Sequence, residues 1–240
     1  MFRIWAQTFL PSVVTSILYF LVFGTVLGER MGQMQGFDYL TFVVPGLVML
    51  SIVTTSYANT SFTFFTSKFF SRHIDEILVS PTPPWVMIAG FVGGGVVRGV
   101  ITGSIVLVVA LFFTQLSLPI SSALVILSFA ILTSLVFALA GLVNGIYAKS
   151  IDGINIVPTF VLTPLVYLGG IFYSVSALPP WWQTLTYVNP LFYLVNGFRF
   201  GFLGSTDVPL ALSILILFAM IALLIGINWY LIRTGLGLKQ

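Results

Sequence analysis

Between Arg98 and Lys149 the chain carries no charged side chain, and the same holds from Glu76 to Arg98, from Asp152 to Arg199 and from Asp207 to Arg233. A water-soluble domain does not sustain such gaps, because roughly a quarter of its residues are Asp, Glu, Lys or Arg. Here the charged share is 6% and the hydrophobic share 58%. Uninterrupted apolar runs of about 20 residues are the length that crosses hydrocarbon as a helix. The chain is therefore expected to be an all-α integral membrane protein, with lipid as its solvent.

Six spans fit the 240 residues, at about 9–28, 39–64, 86–113, 120–147, 154–173 and 208–232. The opening run after Arg3 reads as a retained first span rather than a cleaved leader, since its apolar stretch is too long for a signal-peptide core. Spans three and four are joined by only "QLSLP", which predicts a tight hairpin. With both termini in the cytoplasm, Arg3, Lys68, Arg72, Lys149, Arg233 and Lys239 lie inside, while Arg30 and Arg199 lie outside. That imbalance, with Arg98 set aside inside span three, selects the N-in, C-in arrangement. Segment 178–204 is apolar enough to be mistaken for a further crossing. Its "LPPWWQ" start and the Asn189-Pro190 break predict instead a broken, partly re-entrant pair of short helices on the outer side.

The sequence offers little chemistry. Its one histidine, His73, sits beside Asp75 and Glu76 in a charged loop, without the spacing of a zinc site. No cysteine is present, which removes disulfides and thiolate metal sites. The run Gly93, Gly94, Gly95 has no following Lys-Ser/Thr and is no nucleotide-binding loop. No catalytic residue, cofactor-binding residue or metal ligand is assigned, and any ATP-driven work requires a separate subunit. The net charge of +3 is spread over helix ends and does not indicate nucleic acid.

Three other patterns stand out. A helix over about 66–80 places Phe70, Ile74 and Leu78 on one stripe, with Lys68, Arg72, Asp75 and Glu76 around the turn. Such a helix either rests in lipid headgroups or docks a cytoplasmic partner through Phe69, Phe70, Ile74 and Ile77. In span three, Gly95, Gly99 and Gly103 recur every four residues and present a smooth face, for packing within the chain or between subunits. Arg98 lies between them; a guanidinium in hydrocarbon costs a few kcal/mol, so it faces a cavity, pathway or partner, or else snorkels to the interface. Aromatic residues crowd the outer segment, among them Trp181, Trp182 and Tyr193, as a headgroup belt or as the lining of an outer entrance.

The order of these features resembles the permease subunit of ABC-2 type ABC transporters, in a bacterial drug or polysaccharide exporter branch. The resemblance rests on "FVVPGLVM" at 42–49, "EILVSPTPPW" at 76–85, "PTFVLTPLVYLGGIFYSVSALPPWW" at 158–182 and "YVNPLFYLVNGFRFGFLG" at 187–204, and covers nearly the whole chain as a single transmembrane domain. It implies a homodimer in the cell inner membrane above two cytoplasmic ATPase subunits, which would bind the ATP and Mg. It also implies that Lys68, Phe69, Phe70, Arg72, Ile74, Ile77 and Leu78 belong to a coupling helix docking the ATPase. On the same ground, spans one, two and five stand nearest the dimer axis, and Trp181, Trp182, Asn189, Pro190 and Tyr193 belong to an outer gate. The implied substrate is an amphipathic, lipid-like or glycan-like molecule or drug, exported by alternating access. Relatives usually carry a longer cytoplasmic amphipathic helix before span one, where only Met1 to Gln7 stands here. A secondary transporter or a membrane scaffold is the alternative; against proton coupling, no acidic residue lies deep in any span.

Overall fold

A computed structural model describes residues 2–70, 73–114 and 122–237. Four helices are long and apolar enough to cross a membrane: α3 (Tyr39–Phe69), α5 (Pro84–Phe113), α6 (Ala123–Tyr147) and α11 (Leu210–Thr234). Two further apolar segments are shorter or interrupted. The first is α1 (Phe2–Leu21), which continues through a π turn at Val22–Val26 into α2 (Gly28–Met31). The second is α7 (Ile151–Val157), which passes through a π turn at Pro158–Leu162 into α8 (Thr163–Tyr167). The remaining helices are α4 (His73–Val79), α9 (Pro180–Val188) and α10 (Pro190–Leu203), and a two-stranded hairpin pairs Gln33–Met34 with Phe37–Asp38. The expected hairpin connection 115–119 lies outside the described residues.

Helix α3 is the axis of the molecule. Its most apolar window is 67% buried, against 17% for α11. Small residues let α5 and α6 press against it. A Cβ on Gly95 would meet Thr60 Oγ1 at 2.0 Å, one on Gly99 would meet Ser56 Oγ at 1.9 Å, and one on Gly103 would meet Ile52 at 2.4 Å. From α6, Gly141 lies against the Tyr57 carbonyl and Gly145 against that of Ser61. In hydrocarbon no hydrophobic effect draws helices together, so close approach with its dispersion contacts and cross-helix hydrogen bonds must hold them. Ser56 and Ser134 share a bond of 2.6 Å across the α3–α6 contact, and Asn144 Nδ2 donates to Ser61 Oγ at 3.0 Å. The glycine face of α5 is thus used up in packing within the chain.

Chain order puts the ends of these helices into two groups. At one end, Lys68 Nζ donates to the Ile146 carbonyl at the end of α6 and to the Gly237 carbonyl beyond α11. Three helix C-termini meet there around one ammonium, which favours the negative end of each helix dipole. At the opposite end, Gln35 in the hairpin donates to Ser174 Oγ and to Asp207 Oδ1, both at 2.8 Å, tying the α2–α3 connection to the loop before α11.

The sequence predicts one helix over about 66–80, and the structure differs. Helix α3 runs through Phe69, about 46 Å at 1.5 Å per residue and longer than a hydrocarbon core of about 30 Å, and α4 is a separate seven-residue helix. Segment 178–204 is two helices, with the Asn189 side chain accepting from the Leu191 amide as N-cap and Pro190 in the first turn, where its missing N–H costs nothing.

Candidate functional site

Three regions hold the residues singled out from sequence. The first is the Lys68 end. Phe70 is 69% exposed and Val79 89%, whereas Ile74 is 1% exposed and belongs to the core. Ile77 is half-buried and packs on that core, and Phe69 packs beside Phe65 with ring centroids 4.6 Å apart. Lys68 is committed inward, to the ends of α6 and the tail. The face presented outward is therefore Phe70, Glu76 and Val79, continued by Trp85 at 66% exposure. Val79 and Trp85 were not selected from sequence; alternating Pro81, Pro83 and Pro84 hid them, since no helical periodicity passes through that stretch. Arg72 and the side chain of Leu78 lie outside the described residues.

The second region is a cavity of about 580 Å³ between α1, α3 and the α7–α8 segment. Tyr19 and Phe23 line it from one side, Leu50, Thr54, Tyr57 and Ala58 from α3, and Asn155, Pro158, Leu162, Thr163, Val166 and Tyr167 from the third. Phe172 also lines it, stacked on Phe23 with centroids 5.0 Å apart. Among the described residues, no charged one lines this space. Tyr57 borders this cavity and a second one toward α6 and α11, and its hydroxyl is buried without a hydrogen-bond partner among the described residues. An apolar cavity with a few convergent polar groups is the ordinary form of a small-molecule site. Nothing in the sequence marked Tyr57, one of 9 tyrosines.

Arg98 and the glycines stand away from this cavity. Gly95, Gly99 and Gly103 are sealed against α3 and α6, and Arg98 is half-buried on the flank of α5, its guanidinium without a hydrogen bond or ion pair among the described residues.

The third region is the pair α9–α10, expected from sequence on the outer side. Trp181 and Trp182 are adjacent rings 4.0 Å apart and exposed at 59% and 36%. Tyr193 donates its hydroxyl proton to the Tyr187 carbonyl at 2.8 Å, stapling α10 to α9 across the break. Asn189 is 4% exposed and donates Nδ2 to the Leu165 carbonyl at 2.6 Å. Sequence counting placed Arg199 among the outer loop charges; the structure corrects this. Arg199 is 2% exposed, donates to the Gly170 and Ile171 carbonyls at 2.8 and 3.3 Å, and lies over the Phe42 ring at 3.9 Å. Burial pulls it down from the usual guanidinium range to about 10, against the opposing field of Asp207, so it stays a cation at neutral pH.

Comparison with known proteins finds relatives along the whole chain. A family model described as ABC-2 type transporter matches residues 1–203. Inner membrane transport permease YadH of Escherichia coli (strain K12) is 49% identical over 238 residues, covering 99% of this chain and 92% of the relative. Nodulation protein J of Rhizobium meliloti (strain 1021) is 27% identical over 216 residues, covering 88% of this chain and 81% of that one. Nodulation protein J of Neorhizobium galegae is 24% identical over 227 residues, covering 94% and 86%.

Proposed function

The chain belongs to the ABC-2 type transporter family, and from that premise we propose that it is the permease subunit of an ATP-driven exporter in the cell inner membrane, working as a homodimer over two cytoplasmic ATPase subunits. The family match over residues 1–203 carries the reading, and the geometry supplies its parts. Six crossings follow if α1 with its π turn, and α7 with α8, each count as one span beside the four long helices. The Lys68 end is then cytoplasmic, because it gathers Lys68, Lys149 and Arg233 in short connections and helix ends. Helix α4 is the coupling element. Ile74 roots it in the membrane domain while Phe70 and Val79 face the ATPase, so closure of the ATPase moves the ends of α3 and α5 on either side of it.

The cavity between α1, α3 and α7–α8 is the pathway. Its aromatic rings and its uncharged polar groups suit an amphipathic molecule, which would enter from one side and leave past the α9–α10 cap by alternating access. The absence of charge along the cavity argues against a polyanion held there by ion pairing, and the absence of a buried acidic side chain in the long spans argues against proton coupling.

Purification from the native host in mild detergent tests the reading. The expected result is a complex of two permease and two ATPase chains, with nucleotide hydrolysis that Phe70→Asp abolishes by releasing the ATPase while the permease elutes unchanged. A monodisperse membrane protein that never copurifies with an ATPase would return the secondary-transporter or scaffold alternative.

A further inference from the structure

The turn that follows α8 carries carbonyls that no helix satisfies, and buried carbonyls left unpaired in an apolar surrounding are costly. Four carbonyls, one in α8 itself and three in the turn after it, take a side-chain donor from elsewhere. Leu165 O takes Asn189 Nδ2 at 2.6 Å, Gly170 O and Ile171 O take one guanidinium nitrogen of Arg199, and Phe172 O takes the Tyr39 hydroxyl at 3.1 Å. Two of these three donors ride on α10: Asn189 is its N-cap and Arg199 stands near its far end, about 15 Å away along the axis. The contact is also steric. A Cβ on Gly169 would meet Leu191 Cβ at 3.2 Å, and Gly170, at φ +70°, packs against the Phe192 ring. On the other side of the turn, Gly46 of α3 is pressed onto Ile171, with room for no side chain.

An isolated buried cation costs several kcal/mol, and Arg199 has no carboxylate within ion-pair distance among the described residues. Its Nε has no hydrogen-bond partner among the described residues. What the charge does provide is a planar donor that stacks on Phe42 while one nitrogen spans two successive carbonyls, a geometry neither lysine nor a neutral amide reproduces. The other half of the same span is held elsewhere: Asn144 of α6 donates to the Ile154 carbonyl of α7 at 2.9 Å. Between the two anchorages lies the π turn Pro158–Leu162, flanked by Pro164, where the regular ladder is broken and Pro158 and Pro164 contribute no N–H.

We propose that Arg199 is a positioning residue of the transport cycle: with Asn189 it fastens α8 and its turn to the α9–α10 cap as one body, which swings against α7 about the π turn 158–162. Both sides of that hinge line the cavity, Asn155 and Pro158 below it, Val166, Tyr167 and Phe172 above it. Reshaping of the cavity and displacement of the cap are then one movement. This rests on the permease reading for what drives the swing, and not for the fastening itself.

The chain has no cysteine, so spin labels can be placed at single engineered pairs. Val188 and Tyr167, both exposed, report the cap against α8, and Val188 and Ile151 report the cap against α7. In the full chain in lipid nanodiscs, the first pair is expected to give one narrow distance distribution in every state. The second pair is expected to shift when the copurified ATPase is trapped with a non-hydrolysable nucleotide. Arg199→Gln should lose the single narrow peak of the first pair, and Arg199→Lys, which keeps charge and a donor, should restore part of it. Asn189→Ser keeps the helix cap but cannot reach Leu165, and gives the same broadening by an independent route if Arg199→Gln does not fold. A folded variant of either kind with the first-pair distribution unchanged overturns the proposal. A second pair that never shifts with nucleotide, beside a first pair that broadens as expected, leaves the fastening intact and overturns the swing, whereas failure of any ATPase to copurify strikes the ATP-driven reading instead.

Discussion

A methyl group added to Gly99 would sit 1.9 Å from Ser56 Oγ and 2.6 Å from Ser134 Oγ, on the two hydroxyls that bond α3 to α6. Neither can retreat freely, since one hydroxyl proton makes the bond between them and the other goes to a helix carbonyl, that of Ile52 from Ser56 or that of Val96 from Ser134. Gly99→Ala should therefore destabilise the fold by about 1–3 kcal/mol, through overpacking and a broken buried hydrogen bond. Gly94→Ala, on the same helix with nothing within 4 Å of its added carbon, should stay within about 0.5 kcal/mol. Thermal unfolding of both variants in one detergent measures the difference. The spacing that exposed the glycine face is a property of any α-helix, so it was legible in sequence. Its partners were not, because Ser56 and Ser134 belong to other helices and only tertiary contact selects them. Arg199 shows the same limit. A charge next to a loop counts as solvated until Phe42 and the Gly170 carbonyl are known to surround it.

At the scale of elements, sequence carried what depends on local chemistry: the break at Asn189-Pro190 and four of the long apolar helices. It missed what depends on neighbours. The stripe of Phe70, Ile74 and Leu78 assumed one continuous helix, whereas the chain divides it between the end of α3 and α4, so that Phe70 is exposed and Ile74 buried. The π turn at 158–162 left no sequence signal beyond two prolines, because a one-residue bulge alters the phase of a helix without altering its composition. The division at α4 predicts opposite failures from the same substitution. Ile74→Asp puts an unpaired carboxylate where an isoleucine packs, and should cost at least about 3–5 kcal/mol, lowering yield of folded protein. Phe70→Asp exposes a charge to water and should leave the melting temperature near wild type while losing the ATPase. Size-exclusion profiles and melting curves of the two variants separate an anchoring side chain from a docking one.

Over the whole molecule, two broad surfaces are equally apolar, and exposure alone does not tell lipid from a second copy. On α11, Leu215, Phe218, Leu223 and Ile225 face outward, and no polar group among them needs a partner. Hydrocarbon satisfies that face completely. The face formed by α1 and the α7–α8 segment is different: Leu18, Phe160, Val161 and Tyr167 are exposed around a cavity whose wall carries the polar side chains of Thr54, Asn155 and Thr163. Their donated protons go to carbonyls of their own segments, but acyl chains leave their remaining hydrogen-bonding positions empty, and a polar group unpaired in hydrocarbon costs several kcal/mol. A second protomer placed on this face would enclose the cavity from the lipid and make one pathway from two halves, which is the arrangement a homodimeric permease requires. Single cysteines introduced at Phe160 or Tyr167, treated in native membranes with a short bis-maleimide, should therefore link two copies. Cysteines at Phe218 or Leu223 should not. Cross-linking confined to the α11 positions would move the dimer axis to the opposite side, leave the Tyr57 cavity facing lipid, and turn that cavity from a shared pathway into a lateral groove of each protomer.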